Sequence, residues 1–384
     1  MKEKLLHFGS YLLVAILSTV LTLTMVQLEV GLKPSKLDQL EDLIGEKFIR
    51  QAEPQTLEDA AAEAMIKATG DRWSYYIPAD EYEAYREQSQ NAYVGVGMTI
   101  QATEDSSGFL ILEVVPGGPA EEAGIQVRDL LIRVGDTDIR ALTAAEVRNL
   151  VKGEEGTSVS LTIFRQGTHE TISVRRRKVE TPVATSRMLE GKIGLVTIEN
   201  FDERCAEESI AAIETLLENG AGKLIFDVRN NPGGFADELV ELLDYLLPEG
   251  DLFRTVRYDG KEHVDKSDGD CLELPMAVLV NADSYSAAEF FAAALREYEA
   301  AVVVGEQTVG KGYFQTTYQL SDGSAVALSI GKYFTPKGVS LAEAGGLTPD
   351  VIVPLDEETA SELYYGSLEP ADDPQLQAAV KALK

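Results

Sequence analysis

Hydrophobic and polar positions follow four successive patterns along the chain. Residues 5–28 are apolar and contain no Lys, Arg, Asp or Glu. Residues 35–90 repeat apolar positions every three or four residues, which indicates amphipathic helices. Short apolar runs separated by glycine turns fill residues 91–178 and predict strands. From residue 179 to 354, apolar strands alternate with amphipathic helices, which is typical of an α/β domain.

These patterns predict an α/β protein with a smaller, mostly β domain ahead of its core. The length of 384 residues is enough for two or three domains. The predicted segments are 1–34 (a cytoplasmic tip, a membrane-spanning signal anchor and a linker), 35–90 (helical), 91–178 (the mostly β domain), 179–354 (the α/β core) and 355–384 (a C-terminal segment).

The first apolar segment, residues 5–28, has the length of one membrane-spanning helix of about 20 residues. Lys2 and Lys4 precede it, so we expect the N-terminus in the cytoplasm and the rest of the chain outside. No clear A-x-A cleavage site follows. The pattern predicts an uncleaved anchor, while a cleaved signal peptide and a buried helix of a soluble protein remain alternatives.

Composition narrows the function further. A formal net charge of -30 disfavours nucleic acid as a partner, because phosphates would be repelled. Cys205 and Cys271 are too few for a disulfide framework, and two unpaired thiols or a single bridge both remain open. The three histidines lie outside any motif suited to a Ser-His-Asp base. We expect no metal and no cofactor, since no cluster of His, Cys and Glu ligands is visible.

Ser286 is the candidate nucleophile. It lies in the segment 281–289 (NADSYSAAE), after a predicted strand and at the start of a predicted helix. The N–H of Ala287 could stabilise the anion formed when Ser286 attacks a carbonyl. A second donor could come from Gly233 or Gly234, because glycine lets the backbone approach a substrate closely. The alternative is that Ser286 is only a helix N-cap.

Lys311 is the candidate base, and it can act only when neutral. An ordinary lysine pKa of about 10.4 must fall by about 3 units, which burial can achieve. Gln315 could orient the amine without adding charge. The spacing of Gly305, Gly310 and Lys311 is similar to a phosphate-binding loop. However, Gly312 stands where that motif requires Ser or Thr, which disfavours nucleotide binding.

Residues 91–178 resemble a PDZ domain of the kind found in bacterial proteases. The resemblance rests on Gly95-Val96-Gly97, on the run PGGPAEEAGI at 116–125 and on IRVGD at 132–136. It implies a peptide-binding site at Val94, Gly95, Val96 and Gly97, whose backbone N–H groups would receive a terminal carboxylate while a strand edge pairs with the peptide. A simple tight turn between strands is the alternative.

From about residue 60 to its end, the chain resembles the carboxyl-terminal processing peptidases of the S41 serine peptidase family. The matching motifs occur in order: Gly95-Val96-Gly97, DVRNNPGG (227–234), SYSAAE (284–289), Gly310-Lys311-Gly312 with Gln315, and LTPD (347–350). The resemblance implies Ser286 as nucleophile, Lys311 as general base and Gln315 as its support. It also implies a ClpP/crotonase-like core with an inserted PDZ domain.

Two motifs depart from the family pattern. Tyr285 stands in SYSAAE where relatives usually have alanine in SASASE, and it adds bulk beside the candidate nucleophile. Lys152 stands in VKGEEGT (151–157) where relatives often carry arginine. If that position couples the PDZ domain to the catalytic centre, lysine does so less directionally, because it lacks the planar guanidinium fork.

Together these features predict a single-pass, extracytoplasmic serine endopeptidase of the bacterial cell membrane. Its expected partners are protein or peptide substrates with apolar C-termini, the membrane through the N-terminal helix, and further copies of itself in a homodimer or higher oligomer. One alternative is a proteolytically inactive PDZ-bearing membrane adaptor. Retention of serine, lysine and glutamine together argues against it. Another alternative is a Ser/Lys amidase that acts on small molecules.

Overall fold

The computed structural model describes residues 16–20, 34–103 and 105–383. The chain divides into two units, Met1–Tyr76 and Ile77–Lys384. Of the predicted membrane segment 5–28, only residues 16–20 are described, and they are helical. Among the described residues no helix has both the length and the apolar character needed to cross a bilayer. The anchor therefore lies mostly outside the described residues and stays a prediction.

From residue 34 on, the first unit contains helices α1 (Lys36–Lys47) and α2 (Pro54–Lys67). The Ser35 side chain accepts the Asp38 N–H and the Asp38 carboxylate accepts the Ser35 N–H, so α1 begins with a capping box. Pro54 opens α2, where its missing N–H costs nothing. The helical periodicity is thus confirmed here. A short strand that the sequence did not predict, β1 (Tyr75–Ile77), follows.

The inserted domain is built around a mostly antiparallel sheet with strand order β3-β4-β5-β7-β8, to which β6 adds by pairing with β5. Helix α3 precedes the domain, and α4 and α5 lie within it. The bounds are α3 (Ala79–Ser89), β2 (Ala92–Gly95), β3 (Met98–Ala102), β4 (Phe109–Val114), α4 (Pro119–Glu122), β5 (Leu130–Val134), β6 (Thr137–Asp138), α5 (Ala144–Val151), β7 (Ser158–Arg165), β8 (Thr168–Arg175) and β9 (Arg177–Glu180).

The first of the predicted strands in 91–178 is divided: residues 92–102 form two strands with different partners. β2 pairs with β9, from Ala92 opposite Glu180 to Gly95 opposite Arg177, whereas β3 pairs with β4. Gly97, at φ 73°, turns the chain between them, a conformation that glycine adopts without strain. Because β2 enters the domain and β9 leaves it, their pairing closes the insertion at its base.

The α/β core carries a six-stranded sheet of order β10-β11-β12-β15-β16-β19, parallel except for β10. A second sheet joins β18, β13 and β14, with β17 on β18. The bounds are β10 (Ala184–Leu189), β11 (Ile193–Ile198), α6 (Cys205–Glu218), β12 (Lys223–Asp227), α7 (Ala236–Leu246), β13 (Gly250–Arg257), β14 (Glu262–Ser267), β15 (Met276–Val280), α8 (Ala287–Glu297), β16 (Ala301–Gly305), β17 (Tyr313–Gln319), β18 (Ala325–Phe334), α9 (Leu341–Ala344), β19 (Val351–Ile352), α10 (Glu357–Tyr364) and α11 (Pro374–Ala382).

Both faces of the six-stranded sheet are covered. Phe226 and Val278 point to one face, where α6, α7 and α8 pack, and Ile225 and Leu279 point to the other, where α11 packs. Side chains alternate along a strand, so a doubly covered sheet needs continuous apolar strands, which is what β12 and β15 supply. This burial fixes the carboxyl ends of the central strands, where the candidate catalytic segments begin.

Both cysteines are free thiols, so the alternative of a bridge between them is not realised. Cys205 is fully buried at the start of α6, and this burial raises the pKa of its thiol. An apolar environment disfavours the thiolate, the reactive form of cysteine. Cys205 is therefore a packing residue of the core.

Candidate active site

Ser286 lies at a strained corner between β15 and α8. Its backbone has φ 59° and ψ -128°, a region that non-glycine residues rarely occupy. Such strain persists only where surrounding contacts impose it, and it is concentrated at functional sites. The residue is 7% exposed, and its Oγ lies 2.8 Å from the hydroxyl of Tyr333 on β18. Ser286 thus occupies the predicted N-cap position in a strained backbone conformation.

Glu289 fixes the backbone at Ser286 through hydrogen bonds. Its carboxylate is fully buried and accepts the backbone N–H of Ser286 at 3.0 Å, of Lys311 at 2.9 Å and of Gly310 at 2.7 Å. It also accepts the hydroxyl of Thr308. Burial raises the pKa of Glu289, while these hydrogen bonds act in the opposite direction. One carboxylate therefore joins the start of α8 to the segment that carries the candidate base.

Lys311 lies in the loop between β16 and β17, two residues before the start of β17. Its Nζ is 5.8 Å from the centroid of the Tyr285 ring, so Tyr285 borders both the candidate nucleophile and the candidate base. The loop packs closely: a Cβ on Gly310 would come within 2.7 Å of the Gly346 nitrogen, and one on Gly312 within 2.7 Å of the Ala342 side chain. These glycines let Lys311 approach the core.

Gln315 lies on β17 with its amide held in place. Its Nε2 donates to the carbonyl of Tyr313 at 3.1 Å and to the hydroxyl of Ser329 at 2.9 Å. These bonds fix the plane of the amide group at the base of the strand that follows Lys311. A role of Gln315 in supporting Lys311 stays a prediction.

The glycine turn after β12 packs directly on Ser286. A Cβ on Gly233 would lie 2.6 Å from the Cβ of Ser286 and 2.8 Å from the nitrogen of Ala287, so only glycine fits. However, the Gly233 N–H donates to Oδ1 of Asn231 at 2.8 Å. In this structure that N–H is therefore engaged within the turn, which leaves Ala287 and Gly234 as the candidate oxyanion donors.

Asn231 keeps this turn in place. Asn231 is fully buried, and its side-chain Nδ2 donates to the carbonyl of Ile198 at 2.7 Å. Its backbone carbonyl accepts the Tyr285 N–H at 3.1 Å. Asn231 thus connects the glycine turn, β11 and the residue before Ser286. Removing the amide would leave buried polar groups without partners, which costs about 1–3 kcal/mol for each group.

Arg229 anchors the same turn to the C-terminal segment. Its guanidinium contacts the Asp227 carboxylate, an oxygen of Asp373 at 2.8 Å and Oε1 of Gln375 at 3.0 Å. Asp373 caps α11 and is 3% exposed. Burial opposes the charge on Arg229, but the two carboxylates outweigh it and raise the pKa of the guanidinium. The Arg229 guanidinium therefore stays charged, and with Asp227 and Asp373 it forms a buried triad.

The inserted domain carries a groove of about 400 Å³ between β3 and α5. Gly95, Val96 and Gly97, three of the predicted peptide-binding residues, line one side. The other side is formed by Ala144, Arg148 and Val151 of α5 and by Lys152, the residue that ends this helix. Its position between a strand edge and a helix is suited to an extended peptide that adds to the sheet.

Val94, the fourth predicted peptide-binding residue, does not line this groove; it is linked to Lys152, which does, through a residue that the sequence did not single out. The Glu87 carboxylate on α3 accepts the Val94 N–H at 3.1 Å and the Lys152 ammonium at 3.1 Å. The Lys152 and Glu87 side chains are 40% and 20% exposed. Lys152 therefore contacts the helix that precedes the inserted domain, and its predicted coupling to the catalytic centre stays a prediction.

Sequence reasoning missed Tyr333, Glu289, Asn231 and Glu87. Only Glu289 carried a local signal, because it follows Ser286 by three residues in a capping-box pattern. Tyr333 and Glu87 act over separations of 47 and 65 residues, which no local pattern reveals. Within the described part of the chain, no group of three or more His, Cys, Asp or Glu side chains is placed to hold a metal ion.

Two family profiles and a related protease match this chain. The sequence profile of peptidase family S41 matches residues 192–353, and that of a PDZ domain matches residues 110–165. The chain is 30% identical over 370 residues to the carboxy-terminal processing protease CtpA of Bacillus subtilis (strain 168), covering 93% of this chain and 79% of the relative.

Two further matches extend the comparison. A "Probable CtpA-like serine protease" of Staphylococcus aureus (strain COL) is 28% identical over 355 residues, covering 90% of this chain and 71% of the relative. The crystal structure of a "Putative S41 protease" from Bacteroides fragilis NCTC 9343 superposes with a TM-score of 0.53 at 19% identity, covering 90% of this chain and 96% of that chain. The latter is a likeness of fold.

An α/β catalytic core that carries a PDZ domain, together with these relatives, defines a serine-type endopeptidase. Within that class the chain belongs to peptidase family S41, with the carboxy-terminal processing proteases. The predicted family and enzyme class are thereby confirmed. Membership favours the peptidase over the inactive adaptor and the small-molecule amidase.

Proposed function

We propose that this chain is a membrane-anchored, extracytoplasmic endopeptidase that binds the C-terminal tail of a protein substrate and cleaves it through a Ser286–Lys311 pair. The observation that carries the proposal is the shared carboxylate of Glu289, which bonds the backbones of Ser286 and Lys311 at 3.0 and 2.9 Å. The anchor and the extracytoplasmic location rest on the apolar segment 5–28 and on the lysines that precede it.

In this mechanism Ser286 Oγ attacks the scissile carbonyl while its proton passes to the neutral amine of Lys311. The N–H groups of Ala287 and Gly234 stabilise the negative charge that develops on the carbonyl oxygen. Lys311 then returns the proton to the leaving amine, which yields an acyl-enzyme and a free amino terminus. A water molecule, deprotonated by Lys311, releases the acyl group and restores Ser286.

The PDZ groove supplies the preference for a chain end. The substrate tail adds to the edge of β3, apolar side chains enter the groove, and the terminal carboxylate binds near Gly95, Val96 and Gly97. Lys152, at the same end, attracts the carboxylate electrostatically. Substrates with apolar C-terminal side chains and a free terminal carboxylate are therefore cleaved faster than substrates with charged C-terminal side chains or a blocked carboxylate.

The test uses the full chain in detergent, an unfolded protein with an apolar tail, and mass spectrometry of the products. Ser286→Ala and Lys311→Ala should each abolish cleavage, and Lys311→Arg should not restore it, because arginine remains protonated. Matched controls are Ser186→Ala and Lys266→Ala, which change exposed positions of the same domain. Wild-type turnover by Ser286→Ala or Lys311→Ala would overturn the assignment.

Location is tested separately. In cells, the protein should fractionate with membranes, and protease added outside the cytoplasmic membrane should degrade residues 35–384 and spare the N-terminus. Recovery of the intact chain in the soluble cytoplasmic fraction would overturn the anchor and leave the peptidase chemistry standing.

A further inference from the structure

The hydroxyl of Tyr333 is paired with the candidate nucleophile. Its Oη lies 2.8 Å from Ser286 Oγ, and the two residues are 4% and 7% exposed. A buried hydroxyl normally has a hydrogen-bond partner, since leaving it without one is costly. For Tyr333 that partner is the atom that would attack the substrate.

The Tyr333 ring cannot easily move away. It packs edge-on against Phe290 with ring centroids 4.4 Å apart, and against Phe253 at 5.4 Å and Phe314 at 6.2 Å. Phe290 belongs to α8, the helix that Ser286 begins. The Tyr333 N–H also donates to the carbonyl of Gly312, the residue after Lys311, at 3.2 Å. Tyr333 is therefore held both by α8, which begins after Ser286, and by the segment that carries Lys311.

The protonation state of Tyr333 restricts what its hydroxyl can do. Burial raises the pKa of this phenol well above the ordinary value of 10.0. It remains protonated across the working range of the enzyme and cannot replace Lys311 as base. Either hydroxyl of the pair can donate to the other. Only when Tyr333 donates is the Ser286 proton left for transfer to a base.

We propose that Tyr333 is a further catalytic residue, whose hydroxyl donates to Ser286 Oγ and fixes it with the Ser286 proton directed to the base. The proposal rests on the proposed function, because it takes Ser286 as the nucleophile. The backbone strain at Ser286 places the side chain in the site, and the Tyr333 hydrogen bond selects its rotamer. Reacting groups held in one orientation avoid an entropic cost during the reaction.

The test compares Tyr333→Phe with the wild type in the full chain, using an unfolded protein substrate and a fluorophosphonate probe that labels an activated serine. Phenylalanine preserves the ring packing and removes only the hydroxyl. We expect kcat to fall about tenfold to a hundredfold, with KM within about twofold, as for the loss of one hydrogen bond worth about 1.4–2.7 kcal/mol in the transition state. Labelling of Ser286 should slow by a similar factor.

The matched control is Tyr298→Phe. Tyr298 is also partly buried in this core, but its hydroxyl donates to the carbonyl of Asp251 at 3.0 Å. Tyr298→Phe should lower the melting temperature as much as Tyr333→Phe or more, and it should leave kcat and the labelling of Ser286 unchanged. The pH–rate profile of Tyr333→Phe should keep the wild-type shape at a lower height, because the base is unchanged.

Three results would overturn the proposal. Unchanged kcat and labelling in Tyr333→Phe would show that the hydroxyl has only a structural role. A higher rate would show that Tyr333 restrains Ser286 instead of preparing it. A neutral Lys311 base predicts a rate that rises with pH, and loss of that rise in Tyr333→Phe would make Tyr333 the proton acceptor. If the wild type itself is not labelled at Ser286 while it still cleaves substrate, the proposed Ser286 chemistry fails, which is seen before any Tyr333 variant is compared.

Discussion

The backbone N–H of Lys311 donates to Glu289 Oε2 at 2.9 Å. The same oxygen accepts the N–H of Ser286 at 3.0 Å. Two segments that are far apart along the chain are thus held against one buried atom, and the relative position of the candidate nucleophile and base depends on a residue that takes no part in proton transfer.

Glu289→Gln should impair both folding and cleavage. The carboxylate accepts N–H or O–H donors on both oxygens, and glutamine would turn an NH2 group toward donors on one side. An unsatisfied buried donor costs about 1–3 kcal/mol, and the Lys311 loop would shift as well. Urea denaturation and substrate cleavage measure the two effects.

The control for this change is Glu214→Gln, which alters an exposed carboxylate on α6. We expect no change in stability or rate from it. Full activity and stability in Glu289→Gln would show that the shared carboxylate is dispensable, and the alignment of Ser286 with Lys311 would then have to come from packing alone.

Asp202 predicts a dependence of stability on pH near neutrality. Burial, together with the nearby carboxylates of Glu203 and Glu238, raises the pKa of Asp202 from 3.8 to about 7. The folded state therefore holds this proton more tightly than the unfolded state. The resulting stability is fully present below about pH 4 and is lost as pH rises toward 7. Asparagine does not titrate, so Asp202→Asn should not lose stability in this way as the pH rises.

Melting temperatures measured from pH 5 to pH 8 test this expectation. The advantage of Asp202→Asn over the wild type should grow with pH, whereas Asp136→Asn, at an exposed turn, should follow the wild type. A constant difference between Asp202→Asn and wild type across that range would mean that Asp202 does not titrate there.

Asp373→Asn should destabilise the core strongly. The Asp373 carboxylate is 2.8 Å from the Arg229 guanidinium, and both are almost fully buried. Asp227 still neutralises Arg229 in this variant, but a charge-assisted hydrogen bond of the buried guanidinium is lost, which costs about 1.5–3 kcal/mol. The neighbouring Asp372 is exposed, so Asp372→Asn is a matched control in the same segment. Equal urea midpoints for the two variants would contradict the expected role of the triad.

The sequence identified features that are local and missed those that depend on distant partners. The helix beginning at Ser286 and the glycine turn at 233–234 were visible because periodicity and glycine spacing encode them locally. The pairing of Tyr333 with Ser286 depends on how β18 lies against α8, and the register of a sheet is not written in a local pattern. The engagement of the Gly233 N–H by Asn231 is a matter of side-chain direction, which spacing does not determine.

Glu87 should weaken tail binding by the PDZ groove. Its carboxylate neutralises Lys152 at the end of the groove, with the two side chains 20% and 40% exposed. A substrate's terminal carboxylate then competes with Glu87 for the same ammonium. Partly exposed ion pairs are worth about 0.2–1 kcal/mol, so Glu87→Gln should tighten binding of an apolar peptide with a free C-terminus by up to about fivefold. Fluorescence anisotropy measures the affinity of the labelled peptide, with Glu83→Gln on the same helix as the control.

The gain in affinity should vanish for the amidated peptide and in the double variant Glu87→Gln with Lys152→Gln. An equal gain for free and amidated peptides would contradict competition between carboxylates.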